Sequence, residues 1–213
     1  NTGTSALHLA LDCFGISNGD EVIVPSITYA ASIQAIIFTG AKPVFCESDE
    51  KTLLMDVNHV KSLITKRTKA IMPVHYAGQS CDMDSILKIA EEKGLSVIED
   101  AAHAFPAKCN EHFVGTIGDI TCFSFYANKT ITTGEGGMIT TQDDQLAERI
   151  KKMRLHGIDR DSWDRFTSKP GQWEYDIIDA GFKYNMSDLS SAIGLAQLER
   201  FKDLRRSRQN IGE

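Results

Sequence analysis

Short apolar runs alternate along this chain with stretches of helical periodicity, and that alternation limits the fold more than any other feature. Glu21-Val22-Ile23-Val24-Pro25, Pro43 to Cys46, Ala70-Ile71-Met72-Pro73-Val74 and Leu95 to Ile98 read as strands. Helices are expected over Ser5 to Phe14 and Ala30 to Phe38, each followed by a stopping glycine, Gly15 or Gly40. Two more are expected from Asp56 to about Ile64, and from Asp82 or Asp84 to Gly94. Thr121 to Phe125 and Met138 to Thr141 read as further strands, Asp143 to Leu155 and Ser187 to Arg208 as further helices. Short apolar strands alternating with helices predict an α/β fold, a mostly parallel central sheet covered on both faces in three layers. Such a sheet takes its ligand beyond the carboxyl ends of its strands. The Pro25-to-Tyr29 turn, the His75-Tyr76 pair, Asp100 and Lys129 all follow predicted strands, so one crevice can collect them.

Among these, Lys129 stands in the most telling surroundings. It follows the apolar run Phe123-Ser124-Phe125-Tyr126 and precedes Gly134-Glu135-Gly136-Gly137. Most lysines are solvated surface charges, but a lysine held in a buried, backbone-rich setting loses its proton more readily and can form a Schiff base with an aldehyde. An aldehyde cofactor with a pyridine ring also needs a carboxylate to keep the ring nitrogen protonated. Val97-Ile98-Glu99-Asp100-Ala101-Ala102-His103 offers two at a strand end. Successive strand side chains point to opposite faces, so only one of Glu99 and Asp100 enters the crevice. Asp100 precedes the small residues that let a ring approach and is the one chosen, although a carboxylate there can equally cap a helix starting at Ala101.

Weaker signals surround these two. Asn1-Thr2-Gly3-Thr4-Ser5-Ala6 opens a helix with glycine and hydroxyls, which serves either as a plain cap or as a phosphate seat at the positive end of the helix dipole. Tyr29 can stack on a flat ring or pack in the core. His103 can bond a ring oxygen, and Ser124 can donate to a phosphate or to backbone. Asp159 to Tyr175, polar and aromatic with Trp163 and Trp173, is the segment expected to move or to meet a partner.

Other chemistries lack their residues. The formal net charge of −6 gives no footprint for nucleic acid. No apolar run approaches the ~20 residues of a membrane helix, and the first residues lack a signal-peptide layout. The five cysteines are dispersed without a Cys-x-x-Cys, so free thiols in a reducing cytosol are expected and no metal site is. There is no Gly-x-Ser-x-Gly elbow, Walker loop or Gly-x-Gly-x-x-Gly.

In their order, Gly3-Thr4-Ser5-Ala6-Leu7-His8, Pro73-Val74-His75-Tyr76-Ala77-Gly78, Glu99-Asp100-Ala101-Ala102-His103-Ala104 and Gly181-Phe182-Lys183-Tyr184-Asn185-Met186-Ser187-Asp188 resemble the DegT/DnrJ/StrS family of sugar-nucleotide aminotransferases. Within it they look most like the branch that aminates C4 of the sugar, as does the enzyme making UDP-4-amino-4-deoxy-L-arabinose. The resemblance implies the fold type I scaffold and pyridoxal 5'-phosphate (PLP) as cofactor. It also implies a nucleotide-sugar substrate, an amino-acid donor such as glutamate, and a cytoplasmic homodimer with shared active sites, serving bacterial surface polysaccharide or lipid A.

It implies that Lys129 holds the cofactor and moves the proton, Asp100 binds the ring nitrogen, Tyr29 stacks, and His103 lies near the ring hydroxyl. Thr4, Ser5 and Ser124 would hold the phosphate, with Lys183 or Asn185 reaching the phosphate in the partner subunit. Many relatives have Asn where Lys183 stands and Arg where Asn185 stands, which leaves that choice open. Members with His in place of the lysine act as dehydratases; Lys129 favours transamination over that reading and over a non-catalytic PLP-binding regulator. Residues 1–213 are expected to be the large, cofactor-binding domain, without a short N-terminal segment and a small C-terminal domain.

Overall fold

Val22 and Val24 turn to one side of the central sheet and Ile23 to the other, and all three are fully buried. A strand apolar on both sides belongs in the middle of a covered sheet, where each such side chain contributes roughly 1.5–3 kcal/mol by leaving water. The computed structural model describes residues 1–159 and 175–212. In it the chain runs α1 (Gly3–Cys13), β1 (Glu21–Pro25), α2 (Ala30–Phe38), β2 (Lys42–Cys46), α3 (Val57–Leu63), β3 (Thr68–Ile71), α4 (Met83–Lys93) and β4 (Ser96–Asp100). A two-stranded hairpin, β5 (Lys108–Cys109) and β6 (His112–Phe113), precedes β7 (Ile120–Ser124) and β8 (Gly137–Thr140). Helices α5 (Asp144–Met153), α6 (Asp188–Glu199) and α7 (Phe201–Gly212) follow.

The main sheet has the order β2-β1-β3-β4-β7-β8, parallel throughout except for β8. Helices α1, α2 and α5 cover one face, while α3 and α4 pack against the other. The chain leaves β1 for β2 on one side and returns to β3 on the other, a topological switch point at which such sheets open a crevice.

Caps fix the helix starts. Thr2 and Ser5 close a reciprocal capping box on α1. Asp56 accepts from the Asn58 and His59 amides, and Asp143 from those of Gln145 and Leu146. Asp82, rather than Asp84, caps α4 through the Ser85 amide. That helix stops where Gly94 takes a left-handed φ of 64°.

The structure departs from the sequence reading in places. Strand β3 ends at Ile71 because Pro73 has no N–H to continue the ladder; Val74 rejoins only as a bridge to Asp100. Strand β4 runs past Ile98 to Asp100, where Ile98, Glu99 and Asp100 pair with Ile120, Thr121 and Cys122. No helix starts at Ala101: Asp100 Oδ1 accepts from the Ala102 amide at 3.1 Å and closes a turn. The long terminal helix is two helices broken at Arg200. Of the segment expected to move, residues 160–174 lie outside the described residues. All five cysteines are free thiols. Among the described residues no helix is long and apolar enough to cross a membrane, and no three His, Cys, Asp or Glu side chains are grouped to hold a metal.

Candidate active site

The carboxyl ends of β1, β4 and β7, the turn after β3 and the amino end of α1 open onto one cleft of about 870 Å³. Its lining includes Thr4, Tyr29, Asp100, His103, Ser124 and Lys129. Six candidates separated by up to 125 positions in sequence thus meet because parallel strands end on the same side.

Lys129 is half-buried on the connection between β7 and β8. Its amide donates to the Tyr126 carbonyl at 3.0 Å, and its own carbonyl accepts from the Arg208 guanidinium of α7 at 3.0 Å. Gln197 of α6 accepts from the Thr132 amide at 3.3 Å, so both C-terminal helices hold this loop from outside. Burial lowers the Lys129 ammonium below its usual range, and the charge of Asp100 opposes that shift only in part. His103 is lowered too, by burial first and then by Lys129, with Asp100 acting in the other direction.

Asp100 is almost fully buried on the cleft floor. Ser32 Oγ donates to its Oδ2 at 2.6 Å. Glu99 points through the sheet to the opposite layer, as strand alternation requires. There it accepts from Thr121 Oγ1 at 2.6 Å, the Gly118 amide at 2.8 Å and His75 Nε2 at 2.8 Å. Burial pushes the Glu99 carboxyl up, but the bonds from His75, Thr121 and Gly118 outweigh it and hold the group below the usual carboxylate range.

The amino end of α1 approaches Ser124 so closely that a Cβ on Gly3 would meet Ser124 Cβ at 2.9 Å. The amides of Gly3 and Thr4, first in the helix, have no partner among the described residues. They and the half-buried Ser124 hydroxyl form a small anion cradle at a positive helix end.

Three candidates are not brought to this cleft. The Ser5 hydroxyl is consumed in the capping box and lines a neighbouring cavity of about 560 Å³ between α1, β8 and α5. Lys183 is exposed and forms a bridge with Leu155. Asn185 donates to the Met186 carbonyl at 3.3 Å, and its Oδ1 is buried without a partner among the described residues. Tyr29 does line the cleft, but at its mouth, 79% exposed.

The model of the DegT/DnrJ/EryC1/StrS aminotransferase family matches residues 1–213. The chain belongs to that family. GDP-perosamine synthase of Caulobacter vibrioides is 48% identical over 211 residues, which is 99% of this chain and 54% of that protein. UDP-4-amino-4-deoxy-L-arabinose--oxoglutarate aminotransferase of Shewanella sediminis is 42% identical over 212 residues, again 99% and 54%. The chain spans about half the length of the curated relatives it matches. The PMP form of Spr1654 from Streptococcus pneumoniae superposes with a TM-score of 0.91 at 34% identity, covering 99% of this chain and 58% of the other. The fold is the α/β fold type I of PLP aminotransferases.

The cleft fits PLP on its own geometry. A phosphate suits the α1 cradle, a protonated ring nitrogen suits Asp100, and an aldehyde suits the half-buried amine of Lys129. Reading the sequence missed Ser32, although it breaks an apolar helical stripe with Ala35 and Ile36, all three fully buried. It also missed that His75, in the lining of the cleft, keeps its ring fully buried and bonded to Glu99 and the Cys81 amide.

Proposed function

We propose that this chain is the cofactor-binding large domain of a PLP-dependent aminotransferase that moves an amino group from an amino acid to a nucleotide-linked keto-sugar. The single observation that carries the reading is the shared cleft of Lys129 and Asp100 beside the amino end of α1. When bound, PLP supplies an electron sink for the carbon that loses its proton.

Every other part falls to the chain. The α1 cradle of Gly3, Thr4 and Ser124 binds the phosphate. Asp100 holds the ring nitrogen protonated, and the aromatic face of Tyr29 covers the ring from the cleft mouth. The Lys129 amine, its proton affinity reduced by burial, would hold the aldehyde and, once displaced from it by the amino group of the donor, would take up and return a proton at its own Nζ as general base and acid. His103 stands beside both charges and bonds the ring hydroxyl.

The C4 position, glutamate as donor, a cytoplasmic setting and a homodimer in which Lys183 or Asn185 reaches the partner's phosphate all belong to this reading. The similarity to an enzyme named for 4-amino-4-deoxy-L-arabinose supports the first of these. A bacterial polysaccharide or lipid A precursor is then the product. The retained lysine supports transamination over dehydration.

Borohydride reduction of the full-length protein with PLP, followed by digestion and mass analysis, tests it. A pyridoxyl group on Lys129 is expected. An unmodified Lys129 at saturating PLP overturns the reading.

A further inference from the structure

We propose that Thr28 and Ser32 form a hydroxyl relay that orients the Asp100 carboxylate, which makes Ser32 a positioning residue for the acid of the site. The inference rests on the reading of Asp100 as the partner of the ring nitrogen.

Ser32 lies in the first turn of α2 and is fully buried. A buried helical serine commonly returns its proton to a backbone carbonyl four residues back. Ser32 gives it to Asp100 Oδ2 instead, at 2.6 Å, the length of a hydrogen bond to a charged oxygen. A hydroxyl has one proton. The 2.7 Å contact between Ser32 Oγ and Thr28 Oγ1 is therefore a bond that Thr28 donates. On the other side the Ala102 amide binds Oδ1 at 3.1 Å. One donor on each oxygen fixes the plane of the carboxylate and leaves its remaining lone pairs for the cleft. Thr28 immediately precedes Tyr29, so the relay also ties the aromatic at the mouth to the acid on the floor.

Full-length Ser32→Ala, Ser32→Thr and Thr28→Val proteins test this by two readouts apart from turnover. One is PLP affinity from fluorescence quenching. The other is protonation of the ring nitrogen, from the nitrogen NMR shift of isotope-labelled PLP. Ser32→Ala is expected to weaken PLP roughly tenfold, the worth of a hydrogen bond to a charged group, and to move the nitrogen shift toward its unprotonated value. Ser32→Thr, which keeps the hydroxyl, restores both. Thr28→Val weakens PLP about threefold, and adding it to Ser32→Ala costs nothing more, since the relay is already broken.

Affinity within twofold of wild type and an unmoved nitrogen shift in Ser32→Ala, with Lys129 still labelled in wild type, overturn the relay and leave the cofactor reading intact. A wild-type protein that attaches no PLP removes both.

Discussion

His75 and Glu99 meet at 2.8 Å with neither side chain exposed, one layer beneath the cleft. The other ring nitrogen of His75 accepts from the Cys81 amide at 3.1 Å, so Nε2 carries the proton and the imidazole is neutral. Glu99 is then a buried carboxylate sustained by three donors. It anchors β4 in the residue before Asp100.

Glu99→Gln should destabilise the protein by about 1–3 kcal/mol at neutral pH. The introduced amide would face the Nε2–H of His75, and the alternative tautomer would face the Cys81 amide. The folded carboxyl is held below its unfolded value of about 4.3, so its contribution is complete above that value. It is lost as pH falls through the lower folded value. Urea unfolding should therefore show the gap between wild type and variant at pH 7 and its closure in acid. A gap independent of pH would contradict the charge assignment.

Lys129 should react as an amine at lower pH than an ordinary lysine, because burial opposes its charge. Asp100 acts in the opposite sense, so Asp100→Asn should move the Lys129 midpoint lower still while reducing transamination by a hundredfold or so. Competitive acetylation across pH, read peptide by peptide, measures the midpoint. A midpoint that rises in Asp100→Asn would show that the two groups do not share the cleft.

For His103 the neighbour effect has the opposite sign. The positive charge of Lys129 helps hold its imidazole below the usual value, so Lys129→Met should raise the His103 titration. Burial, the larger cause, remains, and the recovery should be partial. NMR titration of the imidazole resonances in the apo protein decides it.

Gly3→Ala should push α1 away from Ser124, since the new methyl would lie 2.9 Å from Ser124 Cβ at the rigid root of that side chain. A loss of about 1–3 kcal/mol of stability is expected, typical of overpacking. PLP should bind more weakly while pyridoxal, which lacks the phosphate, reacts with Lys129 as before. Equal weakening of both would place the phosphate elsewhere.

The strands and most helices were legible because they obey local rules: β1 is apolar on both faces, and Asp56, Asp82 and Asp143 cap where capping residues should. Strand alternation allowed only one of Glu99 and Asp100 into the cleft, and the small residues after Asp100 decided between them. Hairpin β5–β6 escaped notice, having too few residues to show a period. Ser5 was read as a phosphate ligand, but a hydroxyl three residues after Thr2 serves the cap. Ser32 showed only as a break in an apolar helical stripe, and its partner lies in another element that no local rule names. The relation of Lys183 and Asn185 to a second subunit involves a surface that one chain does not carry.

The lysine loop is the connection of a hairpin, with Ser124 paired to Gly137 at its base. Its turn closes through near neighbours, Lys129 on Tyr126 and Thr133 on Phe125, but Arg208 and Gln197 brace it from 79 and 65 positions away. The Asp100 carboxylate is oriented by a residue 68 positions away. Contacts of short sequence separation form early and re-form quickly, and distant ones wait for the sheet to assemble. Amine and acid are thus both completed by distant elements, and a refolding chain should capture an aldehyde at Lys129 only once the C-terminal helices have docked on its loop.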